Sequence, residues 1–133
     1  MSFTIQGRGI SKGAGTGALL KSREPISFLS GVNPDTGVVI EKGHPLENQC
    51  IAGKVLAFPY GKGSTVGSYI MYALRRNNAA PSAIINDTAE TIIATGAIIG
   101  DIPLVDSLSQ SLDDVADGTV VTVDADSGTV TVE

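Results

Sequence analysis

The chain has one cysteine, one histidine, no tryptophan and, beyond residue 76, no lysine or arginine. A lone thiol, Cys50, excludes an intramolecular disulfide framework, and by itself it cannot hold a zinc or iron–sulfur site. With a single His44, no Ser–His–Asp arrangement is legible from spacing. No apolar run approaches the roughly 18 residues of a membrane span. Asp87, Glu90 and Asp101 interrupt the most apolar stretch. The opening residues Met1–Gly7 lack the basic and apolar regions of a signal peptide. The expectation is a cytoplasmic protein without membrane contact.

What is present fits one domain spanning residues 1–133. Its 133 residues are 42% hydrophobic and 17% charged, with a mean hydropathy of +0.20, which excludes a disordered chain. That length buries a core without disulfide or metal staples. Only three Tyr and three Phe are available, so the core must be Ile, Val, Leu and Ala. The net charge of −5 hides an asymmetry. Residues 1–76 carry all nine Lys and Arg against four acids, and residues 77–133 carry ten acids and no base. An acidic whole argues against nucleic-acid binding. The basic half suits a small anionic ligand, although charge arithmetic alone favours a solvated, unevenly charged surface.

The N-terminal third reads as short strands at Phe3–Gln6, Ala18–Lys21 and Pro25–Leu29, punctuated by glycines. Residues 31–37, Gly-Val-Asn-Pro-Asp-Thr-Gly, make a loop in which Asn33 and Asp35 cap the turn. Gly37–Glu41 reads as a strand, broken by Gly43-His44-Pro45. Lys54–Phe58 is a continuous apolar run, as expected of a strand buried on both faces. A helix should start at Ser64 or Thr65. Its apolar stripe would be Val66, Ile70, Met71 and Leu74; Arg75 and Arg76 suit its end, and Asn77-Asn78 stop it. A strand at Ser82–Asn86, a helix at Thr88–Thr95 and a strand at Ile102–Val105 follow. A hairpin, Thr119–Asp124 with Gly128–Val132, closes the chain. The pattern is that of a mixed α/β domain.

The most informative stretch is Phe58-Pro59-Tyr60-Gly61-Lys62-Gly63-Ser64-Thr65. A buried strand runs into a glycine turn and then a hydroxyl pair at a helix start. Free backbone N–H groups there can hold a phosphate or carboxylate, and the same field favours an alkoxide on Ser64. Lys62 adds positive charge. The plain alternative is a serine cap beside a surface lysine. A P-loop is excluded, because Lys62 is followed by Gly63. Gly61, Gly63 and Gly67 give a G-x-G-x-x-x-G pattern, but strand–helix repeats for a dinucleotide fold are missing around it. A phosphohistidine carrier would need a histidine where Ser64 and Thr65 stand. His44 is either an anion ligand or a turn residue satisfied by its neighbours. Cys50 is expected to be buried. Asp124-Ala125-Asp126-Ser127-Gly128 lacks the later ligands of a calcium loop and reads as a hairpin turn.

Several of these segments together resemble the small subunits of archaeal phosphomevalonate dehydratases, which are aconitase X-type enzymes. The carriers are residues 31–37, then His44-Pro45, then Gly53–Ser64 (Gly-Lys-Val-Leu-Ala-Phe-Pro-Tyr-Gly-Lys-Gly-Ser), then Ala80-Pro81-Ser82-Ala83-Ile84-Ile85. The resemblance implies a single swivelling β/β/α domain of aconitase-like type. It implies a heterodimer with a large subunit that carries a [4Fe–4S] cluster, no metal being held by this chain alone. The reaction it implies removes water from (R)-5-phosphomevalonate, a phosphorylated hydroxy acid, to give trans-anhydromevalonate 5-phosphate in archaeal isoprenoid synthesis. By position Ser64 would be the base, with the cluster iron acting on the leaving hydroxyl. Lys62, Gly63, Thr65 and His44 would bind substrate. Aconitases follow this turn with Ser-Arg, whereas here Thr65-Val66 follows Ser64, so the arginine grip on a carboxylate is missing. Related cis-3-hydroxyproline dehydratases share the scaffold. A non-catalytic anion-binding module using Gly63–Thr65 also remains open.

Overall fold

Val55, Leu56, Ala57 and Phe58 are all buried, and they alternate between two cores. That alternation makes this strand the middle of a layered molecule. The computed structural model describes residues 2–63 and 66–133. The elements are β1 (Phe3–Gln6), β2 (Arg8–Ser11), β3 (Ala14–Lys21), α1 (Phe28–Gly31), β4 (Val55–Phe58), α2 (Gly67–Arg76), β5 (Ala83–Asn86), α3 (Thr91–Gly100), β6 (Leu104–Asp106), β7 (Val120–Asp124) and β8 (Thr129–Val132).

The strands join in the order β1-β8-β7-β3-β4-β5-β6-β2. β3, β4, β5 and β6 run parallel; the flanking strands pair antiparallel. β3 serves both halves, pairing β7 through Ala14–Ala18 and β4 through Leu19–Lys21. The first and last strands of this order, β1 and β2, are separated in the chain only by Gly7. The sheet therefore curls until its two ends meet there, where Gly7 N donates to Gly128 O at 2.8 Å. Inside the curl lies an aliphatic core that includes Ile5, Leu19, Val55, Ile85, Val105, Val123 and Val130. The other face of β4–β6 carries a second core, where Leu56, Phe58, Ile84 and Leu104 meet Met71 and Leu74 of α2 and Ile93 and Ala97 of α3. The result is two layers of sheet and one of helix.

Local chemistry explains where the elements differ from expectation. β2 and the first half of β3 lie in the glycine-rich stretch, whose Gly15 and Gly17 are needed because a Cβ there would overlap Ser82 O and Gly53 O. The strand expected at Pro25–Leu29 is instead a single bridge, Ile26 to Gly61, followed by the one-turn α1. The Gly37–Glu41 strand is reduced to the isolated bridges Val32–Val39 and Val38–Cys50. The expected start of α2 at Ser64 or Thr65 lies outside the described residues; the described helix has Val66 at its cap position and ends at Asn77. Val66 is exposed, not part of the buried stripe, while Met71 and Leu74 are fully buried. α3 begins three residues late because Glu90 caps it, its carboxylate accepting from Ile92 N at 2.7 Å and Ile93 N at 2.9 Å. It runs on to Gly100, where Asp101 ends it in a left-handed conformation. Cys50 is half-buried rather than buried, its thiol donating to Thr36 O at 3.4 Å.

α2 and α3 touch closely at Gly96. An added Cβ would overlap the Met71 sulfur and lie 3.1 Å from the Ser68 Cα and 3.2 Å from the Met71 Cβ. Met71 is fully buried and has nowhere to swing. Gly96→Ala should gain up to about 1 kcal/mol in helix propensity and lose about 1–3 kcal/mol to overpacking. We expect a melting temperature a few degrees below that of the parent chain, read by calorimetry.

Candidate active site

The carboxyl ends of the four parallel strands face a cleft of about 1020 Å³. Open α/β sheets bind ligands at this end. Its walls include Ser22 and Arg23 after β3, Pro59 after β4, Asn86 at the end of β5 with Asp87 after it, and Ser107 after β6. Lys21 also reaches it, but its ammonium is taken by Leu112 O at 3.1 Å and Asp113 O at 3.2 Å. Arg23 is exposed on the cleft wall and was missed by sequence reasoning, because it sits in a turn without a recognisable pattern.

The glycine turn leaves β4 at the edge of this cleft. On one side it is laced to Ile26: Ile26 N donates to Tyr60 O at 3.3 Å, and Lys62 N donates to Ile26 O at 3.0 Å. On the other side Asp87 N donates to Pro59 O at 3.0 Å, with Thr88 N at 3.5 Å. Gly61 packs so tightly on α3 that an added Cβ would overlap Ile93 and come within 2.7 Å of Glu90 Oε1. Gly63 has φ +95°, a region that favours glycine, and its α-carbon faces the Ser27 hydroxyl. The backbone is thereby held in register up to the residue before Ser64. Ser64 and Thr65 themselves lie outside the described residues.

Lys62 does stand beside this turn, but its ammonium is 3.4 Å from Glu41 Oε2, an ion pair that partly offsets its charge. His44 is not offered to a ligand. It is 5% exposed, its Nε2 is 3.1 Å from Pro25 O, and its Nδ1 accepts from Leu46 N at 3.0 Å. The ring therefore braces the loop that carries Ile26. Among the described residues, no three His, Cys, Asp or Glu side chains gather to hold a metal ion, and no helix is long and apolar enough to cross a membrane.

An ion pair of which only the carboxylate is buried anchors the end of β6, next to Ser107 of the cleft wall. The Asp106 side chain is fully out of solvent and takes Arg8 Nε and Nη2, each at 2.9 Å, and Ala89 N at 2.8 Å. Burial alone would push the Asp106 carboxyl up. The Arg8 hydrogen bonds, the Ala89 N–H, the Arg8 charge and Ser107 outweigh it and hold the carboxyl below its ordinary value. A lowered folded pKa stabilises the fold above the ordinary carboxylate range, and that contribution is lost as pH falls through the folded value. Asp106→Asn should therefore cost about 1–3 kcal/mol at neutral pH. The gap in melting temperature between variant and parent should close progressively in acid, below the usual carboxylate range.

Residues 4–132 match the family described as aconitase X swivel domain. The phosphomevalonate dehydratase small subunit of Methanosarcina acetivorans is 55% identical over 125 residues, covering 93% of this chain and 87% of that one. The protein of the same name from Thermococcus kodakarensis is 55% identical over 126 residues, covering 95% and 93%. The crystal structure of aconitase X from Thermococcus kodakaraensis, in its holo-form, superposes with a TM-score of 0.93 at 52% identity over 98% of both chains. A UPF0107 protein solved in solution by NMR superposes at 0.84 with 44% identity, covering 98% of this chain and 97% of that one.

Proposed function

The chain belongs to the aconitase X swivel domain family, and we propose on that footing that it is the small subunit of a phosphomevalonate dehydratase, a hydro-lyase of the mevalonate route to isoprenoids. The observation that carries the reading is the end-to-end match to relatives of that name, at 55% identity over 93% and 95% of the chain. The laced glycine turn supports it, because a dehydratase needs a base held rigidly at the mouth of a cleft.

In this reading Ser64 removes the proton from the carbon next to the substrate carboxylate. The C–H electron pair becomes the new double bond, and the hydroxyl leaves from the adjacent carbon. A serine is a weak base in water, so the turn must favour its alkoxide. The N-terminal field of α2 supplies that bias, with Lys62 contributing what Glu41 leaves it. Gly63 and Thr65 complete the anion cradle, and Arg23 is the cleft-wall cation best placed to replace the missing arginine grip. His44 enters indirectly, by bracing at Pro25 O the loop whose next residue, Ile26, holds the turn.

The chain's own described residues do not fit an iron–sulfur cluster, since its one cysteine bonds Thr36 and no metal-binding group surrounds it. We assign the [4Fe–4S] cluster to a large partner subunit, with which this chain makes a heterodimer in the cytoplasm. The test is turnover of (R)-5-phosphomevalonate by the chain co-purified anaerobically with that subunit. Formation of trans-anhydromevalonate 5-phosphate is expected. An intact, cluster-loaded complex that leaves phosphomevalonate untouched would overturn the substrate, and cis-3-hydroxyproline would be tried next.

A further inference from the structure

Asn86 is the one polar residue of β5, whose other members Ala83, Ile84 and Ile85 are buried and apolar. It is 1% exposed. Packing alone would ask for an aliphatic side chain at this position. Its Nδ2 donates to Phe58 O at 3.0 Å, with Ile85 O a longer 3.4 Å away. Its Oδ1 is buried and has no partner. Turning the amide over would set its oxygen against the Phe58 carbonyl, acceptor to acceptor, so the orientation is dictated by that one bond. A buried acceptor without a donor destabilises the fold. The protein thus tolerates a local loss of stability at the residue that grips the last carbonyl of β4.

The grip continues along the chain. Asp87 N takes the next carbonyl, Pro59 O, and Asp87 O accepts from Ser107 N at 3.1 Å. Asp106 anchors Ala89 N two residues further on. The segment from Asn86 to Ala89 is therefore fixed to β6 on one side and holds two successive carbonyls on the other. Those carbonyls set where the turn leaves β4; beyond them Ile26 holds Tyr60 O and Lys62 N before the chain reaches Ser64.

We propose that Asn86 is a positioning residue for the reaction, holding the end of β4 so that the glycine turn presents Ser64 correctly, at the expense of stability. This rests on the reading of Ser64 as the base. The test pairs two near-equal shapes in the assembled enzyme. Asn86→Val removes the donor and the orphaned oxygen together; Asn86→Thr keeps the shape of valine with a hydroxyl, one bond short of the amide nitrogen, that reaches Phe58 O through a small shift or a bridging water. Asn86→Val exchanges one orphaned acceptor, Asn86 Oδ1, for another, Phe58 O, so it should melt within a few degrees of the parent, while losing about tenfold or more in kcat and keeping KM within about twofold. Asn86→Thr should recover most of the lost kcat. In the full chain studied by NMR, Asn86→Val should shift the amides of Tyr60, Gly61 and Lys62, and Asn86→Thr should restore them.

A merely structural role predicts the opposite coupling, with kcat and melting temperature falling together, and that outcome would overturn the proposal. Unshifted turn amides would overturn it as well. Ser64→Ala, run in parallel, separates the two failures. An active Ser64→Ala enzyme removes the base assignment and the proposal with it. A dead Ser64→Ala enzyme beside an undiminished Asn86→Val enzyme removes the proposal alone.

Discussion

Ser64→Ala should abolish turnover by the assembled dehydratase, with kcat falling by about 10²–10⁴-fold, while the melting temperature and the heterodimer survive. The size of the loss follows from the role. A base cannot be replaced by a methyl group, and the two other ionisable candidates of the site are engaged elsewhere. His44 is turned inward with both ring nitrogens engaged, and the Lys62 ammonium is paired with Glu41. The competing role for Ser64 is a helix cap. Loss of a cap costs about 0.5–2 kcal/mol of stability and leaves the chemistry standing. The two roles therefore separate on two readouts, kcat and melting temperature, measured on the same preparation. A variant that melts several degrees lower yet retains most of its kcat would make Ser64 a cap and move the base to the partner subunit.

The features that fixed the architecture in the sequence were those with a single physical solution. Val55–Phe58 is apolar without interruption, and only a strand covered on both faces satisfies that. The terminal hairpin alternates from Val121 onward and pairs as expected, Val121 to Val132 and Val123 to Val130. What stayed hidden depended on distant partners. β2 and the start of β3 look like glycine punctuation locally. Their strand character comes from pairing with β6 and β7, nearly a hundred residues or more away in the chain. Glu90 was not legible as the cap of α3, because Thr88, an ordinary cap residue type two positions earlier, was read as the helix start. At the site, residues 58–63 were visible as a buried strand meeting a glycine turn. The parts that hold the turn were not. Ile26, Asn86 and Asp87 carry no motif, and they act through backbone groups or a single carboxamide. Nothing in the order of residues says that Lys62 meets Glu41 or that Asp106 meets Arg8. Those pairings exist only once the sheet has closed on itself.

Gly63→Ala should be the second most damaging substitution, and for a geometric reason alone. The position has φ +95°, which costs an L-residue about 1–3 kcal/mol. An added Cβ would also stand 2.7 Å from the hydroxyl of Ser27, which is itself buried and bonded to the Ser30 hydroxyl at 3.2 Å. Neither neighbour yields readily, because Lys62 N is tied to Ile26 O immediately before Gly63 and next to Ser27. The turn must shift instead, and a displacement of order 1 Å at the reacting group costs about a hundredfold in rate. We therefore expect kcat to fall about a hundredfold with the complex intact. The two contributions can be divided. Ser27→Ala added to Gly63→Ala removes the hydroxyl and leaves the Ser27 Cβ at an ordinary 3.5 Å from the new methyl group. The double variant should regain part of the rate, and what it does not regain is the cost of the backbone angle. Full activity in Gly63→Ala alone would show that the turn adapts freely. The lacing at Ile26 and Asp87 would then have no bearing on how Ser64 meets its substrate.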